Sequence, residues 1–310
     1  IFLIATDLDL EIIESIDANV SRSGSTTVSA HTLYDIIRKI PEGSIIEIEL
    51  NSNDQMEIKS AQSNFDLPCL PDEDFPEMSS GEMPCGFSID SDDLARLIDK
   101  AKFAISTEET RYYLNGIFLH SVENELRSVA TDGHRLACIK SDLPAGAEDI
   151  PSIIIPRKTV GEVRKLIEDS SGTLDIKVSD TKIQFTFNDV QLTSKLIDGT
   201  FPDYERVIPK NNDKELLIET KAFASSIDRV ATISSDKSKA VKFLLKDGLL
   251  TLTVINPETG KAIEKTPVDY TYEELEIGFN ARYLLDIASQ IEGSNILFAL
   301  EGSGSPALIT

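Results

Sequence analysis

The residues best suited to chemistry stand side by side at Asp132-Gly133-His134-Arg135, within the segment SVATDGHRLACIK at 128–140. An acid–base enzyme could use Asp132 to orient His134 and His134 as the base. In an extended strand, however, alternate side chains lie roughly 6.5 Å apart, too far for a hydrogen bond unless the chain turns. Asp-Gly favours such a turn. The segment therefore leaves open a catalytic pair or a turn with satisfied polar side chains, and it favours the turn.

The sequence carries no other motif that predicts enzymatic chemistry or a bound cofactor. Gly260-Lys261 lacks the leading glycine of a phosphate-binding loop, and alanine follows where Ser or Thr would hold magnesium. The EGSGSP stretch at 301–306 lacks the spacing of a nucleophile elbow and the third glycine of a dinucleotide-binding loop. The three histidines are isolated in sequence. We therefore expect no cofactor, no metal site and no catalytic residue.

Cysteine usage and hydropathy indicate a cytoplasmic protein. Cys69, Cys85 and Cys138 are scattered and form no CxxC pair, so neither a disulfide framework nor a thiolate zinc site is indicated. No apolar run approaches the roughly 20 residues that span a membrane. The chain opens with IFLIATDLDLEI, which is typical of the interior of a domain rather than of a signal peptide. We expect a reducing, cytoplasmic location and no membrane contact.

Three segments resemble one another and indicate an internal repeat. Each reads as an amphipathic helix followed by an alternating strand, and the copies begin at Val28, Ile155 and Phe279. Shorter pieces repeat in step, since ATD at 5–7 returns at 130–132 and Phe75-Pro76 returns 126 residues later. A shared offset and order favour duplication over chance, and so long a period makes each copy a domain.

The repeat predicts domains at 1–84, 85–213 and 214–310. In the second copy ATD begins 45 residues into the domain, after a helix, whereas in the first copy it begins at residue 5. About 40 residues are therefore expected to be missing from the first domain. The third copy stops before any counterpart of FPDYERVIP, so a C-terminal strand is expected to be missing there.

Each complete copy is predicted to hold two helices and about eight short strands with hairpin-length gaps. This pattern is typical of an α+β fold in which helices pack on antiparallel sheets, and not of a doubly wound fold. The predicted helices lie at 29–43, 88–106, 156–169, 220–239 and 280–292.

Positive charge is concentrated in these predicted helices. They hold 14 of the 30 Lys and Arg but only 13 of the 53 Asp and Glu, in a chain of formal net charge −23. The net charge argues against ordinary nucleic-acid binding, which relies on neutralising phosphates. Solvated helix surfaces would explain the distribution equally well. If the helices face one way, they instead form a weakly positive lining inside an acidic exterior, which suits a protein that surrounds a polyanion and slides.

Long stretches resemble the bacterial DNA polymerase III beta subunit, the replication sliding clamp. They are RYYLNGIFLH and LRSVATDGHRLA within 111–137, SKLIDGTFPDYERVIPKN at 194–211 and EIGFNARYLLD at 276–286, and the likeness extends over all three repeats. The resemblance implies a non-catalytic accessory subunit. Each chain would form half of a homodimeric ring, with helices lining a hole around double-stranded DNA and sheets outside.

The resemblance assigns ATDGHRLA to a pocket that binds linear peptide motifs of partners. The implied partners are the polymerase III alpha subunit, the clamp loader and repair polymerases. The pocket would contain Leu114, Thr131, Gly133, His134, Arg135, Leu136, Pro202, Arg206 and Val207, with Asn280 and Tyr283 from the third domain. Its apolar members suit a hydrophobic anchor, with Arg135 and Arg206 at the rim, and Gly133 lets a peptide backbone approach.

The resemblance also implies DNA-facing residues and a subunit interface. The DNA-facing residues would be Arg111, Tyr112, Tyr113, Arg157 and Lys158. The interface would join Phe65 and Leu67 of one subunit to Ile233 of the other. A strand-end aromatic cluster explains Tyr113 equally well. The sequence departs from the family in lacking the C-terminal tail that closes the pocket and in having Ser238 where some members have an aromatic side chain.

Three functions are weighed on these grounds. The first is a DNA sliding clamp, a processivity factor that encircles duplex DNA and tethers the replicative polymerase and other partners through a hydrophobic peptide pocket. The second is a monomeric repeat adaptor that binds peptide motifs without encircling DNA. The third is a hydrolase that uses His134. The helix-specific charge distribution favours the first.

Overall fold

The computed structural model describes residues 1–51, 55–76, 78, 81–168, 171–234 and 239–310. This part of the chain contains five α-helices and twenty β-strands. The helices are α1 (Ala30–Ile37), α2 (Ser91–Lys102), α3 (Arg157–Leu166), α4 (Thr220–Ala231) and α5 (Ala281–Ala288). All five predicted helices are present, and each is shorter than predicted.

The helix ends differ from the prediction for local reasons. The predicted helix at 88–106 begins three residues too early, because residues 88–90 belong to a strand with alternating burial. Asn280 caps α5 by accepting the backbone N–H of Arg282, so that helix begins where its cap fixes the first turn.

Among the described residues, no helix is long and apolar enough to cross a membrane.

The strands of the described residues are short and form five sheets. They are β1 (Phe2–Thr6), β2 (Leu10–Ser15), β3 (Glu47–Leu50), β4 (Gln55–Ser60), β5 (Ser63–Pro68), β6 (Cys85–Asp90), β7 (Gly116–Val122), β8 (Glu125–Thr131), β9 (Leu136–Asp142), β10 (Ile153–Pro156), β11 (Thr173–Val178), β12 (Lys182–Phe187), β13 (Val190–Lys195), β14 (Lys214–Glu219), β15 (Ala240–Lys246), β16 (Leu249–Asn256), β17 (Gly260–Pro267), β18 (Leu275–Asn280), β19 (Asn295–Leu300) and β20 (Leu308–Ile309). One sheet has the order β10-β7-β8-β9. In the other four, every neighbouring pair is antiparallel.

The chain divides into two compact units. The first comprises Ile1–Ala95, Leu119–Arg127 and Lys140–Asp198. It contains a six-stranded sheet in the order β1-β2-β13-β12-β11-β6 and a three-stranded sheet in the order β3-β4-β5. In the larger sheet β2 pairs with β13, although more than 170 residues separate them in sequence. That pair therefore joins the first repeat to the second.

The second unit comprises Arg96–Phe118, Ser128–Ile139 and Gly199–Thr310. It contains the sheet β17-β16-β15-β18 and the sheet β14-β19-β20, with α4 and α5. Its core is aromatic, since the ring of Phe223 on α4 lies 5.3 Å from Phe298 and 6.1 Å from Phe243 in edge-on contacts. Such edge-to-face contacts add to the stabilisation from burying the rings. β7, β8 and β9 contribute residues to both units.

Candidate functional site

The ATDGHR stretch is a hydrogen-bonded turn between β8 and β9. Asp132 Oδ1 accepts the backbone N–H of His134 at 2.9 Å and of Arg135 at 3.0 Å. The Thr131 hydroxyl donates to the Arg135 carbonyl at 2.7 Å and accepts the Gly133 N–H at 3.1 Å. Within the described chain, the hydrogen bonds of Asp132 go to this backbone and to the Arg135 side chain, and none goes to the His134 imidazole. The predicted turn is confirmed, and an Asp132–His134 catalytic pair is not formed.

The first repeat contains the same turn with different residues at its tip. Asp7 Oδ1 accepts the N–H of Asp9 at 3.1 Å and of Leu10 at 2.8 Å. The Thr6 hydroxyl donates to the Leu10 carbonyl at 2.9 Å and accepts the Leu8 N–H at 3.0 Å. The residue after each aspartate has a positive φ, 78° at Leu8 and 85° at Gly133. The ATD repeat found in the sequence is therefore a repeat of one hydrogen-bonded turn.

Arg135 lies deeper than a rim position. Its side chain is 14% exposed. The guanidinium donates through Nε to Asp132 at 3.2 Å, through Nη1 to Asp286 at 2.6 Å and through Nη2 to the Phe103 carbonyl at 2.6 Å. It also lies over the Tyr283 ring, 4.3 Å from its centroid. Arg135 thus connects the turn after β8 with α5 and with the end of α2.

The other predicted pocket residues differ in exposure. Leu114 is buried, Leu136 at the start of β9 is half-buried, and Val207 is 61% exposed. Pro202 and Arg206 are exposed, and Arg206 pairs with Asp203 at 2.6 Å. The segment around them is anchored because the rings of Phe118 and Phe201 stack with centroids 4.7 Å apart.

Tyr283 from the third repeat reaches the turn, and Asn280 caps the helix that carries it. The Tyr283 ring lies 6.4 Å from the His134 ring, with the planes 29° apart. Asn280 directly precedes α5, and its side chain caps that helix at 2.9 Å. The structure therefore brings His134, Arg135 and Tyr283 together, as the family resemblance implies.

The first of the predicted DNA-facing segments carries a compensated charge. Arg111 donates to Glu108 through Nε at 2.8 Å and through Nη2 at 2.7 Å. This double contact lowers the pKa of Glu108 and raises the pKa of Arg111. Tyr112 is 54% exposed, and Tyr113 packs edge-on against it at 5.8 Å. Tyr112 is thus the more accessible of the two tyrosines.

The second predicted DNA-facing segment is the first turn of α3. Arg157 and Lys158 are both exposed. The Lys158 ammonium forms an ion pair with the carboxylate of Asp7. Hydrogen bonding to Lys158 is the largest cause that lowers the pKa of Asp7 from 3.8 to about 2, and the same pair raises the pKa of Lys158. A lysine predicted to meet phosphate is therefore already matched by a carboxylate from the first repeat.

The predicted subunit-edge residues are not equally available. Leu67 on β5 is buried among Met56 and Ile58 of its own chain, whereas Phe65 is only half-buried. An apolar contact with a second subunit would therefore depend on Phe65 more than on Leu67. Ile233 is half-buried against the core of the second unit. Ser238 lies outside the described residues.

Comparisons with known proteins place these features in a family. The model of the DNA polymerase III beta subunit matches with its N-terminal domain at residues 1–79, its central domain at 88–203 and its C-terminal domain at 205–310. The Beta sliding clamp of Caulobacter vibrioides is 50% identical over 310 residues, which is 98% of this chain and 83% of that protein. The chain belongs to the DNA polymerase III beta subunit family.

Other clamps of this family agree in sequence and in structure. The Beta sliding clamp of Pseudomonas aeruginosa is 37% identical over 308 residues, covering 99% of this chain and 84% of that protein. The crystal structure of the Bartonella birtlesii clamp bound to griselimycin superposes with a TM-score of 0.97 at 49% identity, over 99% of this chain and 84% of that one.

Several predictions are confirmed by membership of the clamp family. The fold is the α+β clamp fold of three domains with antiparallel sheets and helices. The chain is a beta sliding clamp, the processivity factor of DNA polymerase III. It is a non-catalytic accessory subunit, so the hydrolase hypothesis is wrong. DNA and the polymerase are its partners in bacterial replication.

Sequence reasoning missed two residues of the clamp's candidate site. Asp286 and the Phe103 carbonyl accept hydrogen bonds from Arg135, and neither residue was predicted to belong to the site. The sequence contains a signal for Asp286, because this residue follows Tyr283 by three positions on α5 and so lies on the same helix face.

Among the described residues, no group of three or more His, Cys, Asp or Glu could hold a metal ion.

Proposed function

We propose that this beta sliding clamp encircles duplex DNA as a head-to-tail homodimer and holds its partners through a peptide pocket beside the ATDGHR turn. The three domains would be 1–84, 85–213 and 214–310. The polymerase III alpha subunit, the clamp loader and repair polymerases would dock through linear motifs, in the cytoplasm. The observation that carries the proposal is the junction at which β2 of the first repeat pairs with β13 of the second.

The repeat supplies a second pair of strands that could form the same junction. β5 corresponds to β13, since Phe65 pairs with Ile58 as Leu192 pairs with Phe185. β17 corresponds to β2, since it follows a turn in which Asn256 accepts the Glu258 N–H at 3.0 Å. Both β5 and β17 end their sheets. Edge strands present unpaired backbone groups, so β17 of one chain can extend the β5 edge of another.

The register of the known junction predicts which residues would meet. β13 and β2 pair Thr193 with Glu11. Glu11 pairs with Thr6 in the first hairpin as Lys261 pairs with Ile255 in the third, so Lys261 occupies the position of Glu11. By the same comparison of β13 with β5, Asp66 occupies the position of Thr193. An antiparallel β5–β17 junction would therefore place Asp66 directly opposite the second chain's Lys261. Opposite charges at facing positions stabilise a strand pair. A junction between two different sheet edges is heterologous, and it closes into a ring when the rotation that relates the two subunits permits closure.

Charge reversal across this junction tests the dimer. Lys261→Glu or Asp66→Lys alone puts like charges opposite each other, so each should weaken dimerisation by about tenfold. The double variant restores opposite charges and should dimerise nearly as well as the unsubstituted protein. Dissociation constants would be measured by analytical ultracentrifugation.

Lys177→Glu is the matched control, because it reverses an exposed charge on β11, a strand that is paired on both sides and so cannot join the junction. It should leave the dissociation constant within about twofold. A double variant no better than either single variant would contradict the register. An unsubstituted protein that stays monomeric at micromolar concentration would favour the monomeric adaptor.

The peptide pocket is supported by a mixture of buried and accessible apolar side chains. Leu114 is buried beside Tyr113, while Leu136 is half-buried and Val207 is 61% exposed. A buried floor with exposed apolar edges suits a hydrophobic anchor from an extended peptide. Leu136→Asp should therefore abolish peptide docking, because the anchor would meet a desolvated charge.

A further inference from the structure

Three of the five N–H groups of the Arg135 guanidinium donate hydrogen bonds within the protein. Nε, Nη1 and Nη2 each already donate, to Asp132, Asp286 and the Phe103 carbonyl. Two aromatic rings also contact the guanidinium, since its carbon lies 4.3 Å from the Tyr283 ring centroid and 5.1 Å from that of Phe103. A side chain that is 14% exposed and makes three hydrogen bonds and two ring contacts fixes its neighbours relative to one another.

The residue that Arg135 fixes is Tyr283. Asp286 follows Tyr283 by one helical turn, so the ion pair at 2.6 Å sets the position of the α5 face that carries the tyrosine. The same tyrosine lies 6.4 Å from the His134 ring, on the turn where the peptide pocket is proposed. The position of one pocket side chain therefore depends on an ion pair made by its neighbours.

We propose that Arg135 and Asp286 act together as positioning residues that set the distance between Tyr283 and the ATDGHR turn, and thereby the affinity of the pocket for peptide. Asp286 would influence peptide binding although it was not among the predicted pocket residues. This inference rests on the proposed pocket, and it departs from the expectation that Arg135 is a rim contact.

Arginine suits this role better than lysine. A planar guanidinium can donate to two carboxylates and a carbonyl at once while stacking on an aromatic ring. A lysine ammonium is a single point charge on a flexible stem and cannot satisfy Asp132, Asp286 and the Phe103 carbonyl in the same geometry. Arg135→Lys should therefore behave like a loss of the side chain rather than like a conservative change.

The test compares the full-length protein with Arg135→Met, Asp286→Ala and the double variant. The probe is a fluorescein-labelled peptide that covers the clamp-binding motif of the same bacterium's polymerase III alpha subunit, and affinity is read by fluorescence anisotropy. Asp286→Ala should weaken binding on the order of tenfold, and the double variant should be little worse than Arg135→Met. Alanine favours helix, so α5 is retained.

Lys100→Met is the matched control. Lys100 is 18% exposed and pairs with Glu292 at 2.9 Å, so it also ties α2 to the segment after α5. Among the described residues, the ring and cation contacts of Tyr283 are with His134 and Arg135, and not with Lys100. Lys100→Met should leave peptide affinity within about twofold. If Lys100→Met and Asp286→Ala weaken binding equally, Arg135 merely stabilises the packing and the proposal is wrong.

A spectroscopic measurement reports the position of Tyr283 directly. The chain has three histidines, so the His134 imidazole signals in a ¹³C-histidine-labelled sample can be assigned with His134→Asn. The nearby tyrosine ring should shift these signals in the unsubstituted protein. Asp286→Ala should move them towards the values of a Tyr283→Ala variant, whereas Lys100→Met should not.

The outcomes separate this inference from the proposed pocket. If Leu136→Asp abolishes peptide binding while Asp286→Ala changes neither affinity nor the His134 signals, the pocket stands and the positioning role is overturned. If Leu136→Asp leaves binding unchanged, the pocket is elsewhere and both proposals fail. Non-additive losses together with a shifted His134 signal support the positioning role.

Discussion

Asp132 uses one carboxylate oxygen on two backbone N–H groups and the other on Arg135. A carboxylate placed before a glycine meets this demand of a tight turn, which is why the Asp-Gly pair could be interpreted correctly from sequence. The role of Arg135 could not, because its partner Asp286 is 151 residues away. At the residue scale, local hydrogen bonding was predictable and long-range pairing was not.

Gly133→Ala tests the turn at this scale. The φ of Gly133 is 85°, which costs an L-residue about 1–2 kcal/mol, and a Cβ there would also meet Arg111 Nη1. The flexible Arg111 side chain can move aside, so backbone strain should dominate the loss of stability. Thermal and urea unfolding would measure the change.

Gly161→Ala is the control for that substitution. Gly161 lies within α3, and a Cβ there would meet no atom within 4 Å. Alanine should therefore stabilise the protein by about 0.5–1 kcal/mol. If both substitutions stabilise, the positive φ of Gly133 does not constrain the turn.

The elements were predicted in number and type, but not in their ends or neighbours. Periodicity located α3, in which Thr159, Val160 and Val163 are buried. It could not reveal that the first turn of α3 meets Asp7, because the ion pair of Lys158 joins two repeats. Charge counting along the sequence therefore overstated the positive charge that α3 can present.

Asp7→Asn tests this compensation. Removing the carboxylate leaves Lys158 without its ion-pair partner, so affinity for a short duplex should rise. The salt dependence of log K should steepen by up to about 0.9, the value of one phosphate contact. Fluorescence anisotropy at several salt concentrations would measure both. An unchanged slope would mean that Lys158 does not meet phosphate.

The pH dependence of this pair follows from the shifted pKa of Asp7. A lowered carboxylate pKa means that the pair stabilises the fold above the ordinary value of 3.8 and is lost as pH falls through about 2. The effect of Asp7→Asn on DNA affinity should therefore be constant between about pH 6 and pH 8, where the carboxylate stays ionised.

At the scale of the whole molecule, the threefold repeat was the most informative feature of the sequence. Offsets of 124 to 127 residues indicated duplicated domains, and the family models match three successive domains. The β2–β13 pairing was not predicted, because edge strands of similar hydrophobicity do not reveal in their sequences which strand each will pair with.

Arg157→Glu together with Lys158→Glu tests the proposed DNA-facing lining. Reversing both charges should weaken binding to duplex DNA and flatten the salt dependence of log K by up to about 0.9, because Lys158 is already paired with Asp7 and only Arg157 is expected to contact phosphate. Peptide affinity should be unchanged. Lys242→Glu with Lys246→Glu is the control, because it makes the same change of charge on exposed residues of a sheet strand. Equal losses from both double variants would point to net charge alone.

In the turn shared by Thr6-Asp7 and Thr131-Asp132, the residues that hold the turn together differ from the residues at its tip. Its hydrogen bonds come from two side chains and the backbone, and the tip residues supply no side chain to them. After duplication, the tip could therefore mutate without unfolding the hairpin, and even leucine is accepted at the left-handed position. Such a hairpin can diverge after duplication: one copy carries His134 and Arg135, which contact Tyr283, while the other carries Leu10, which pairs with the second repeat.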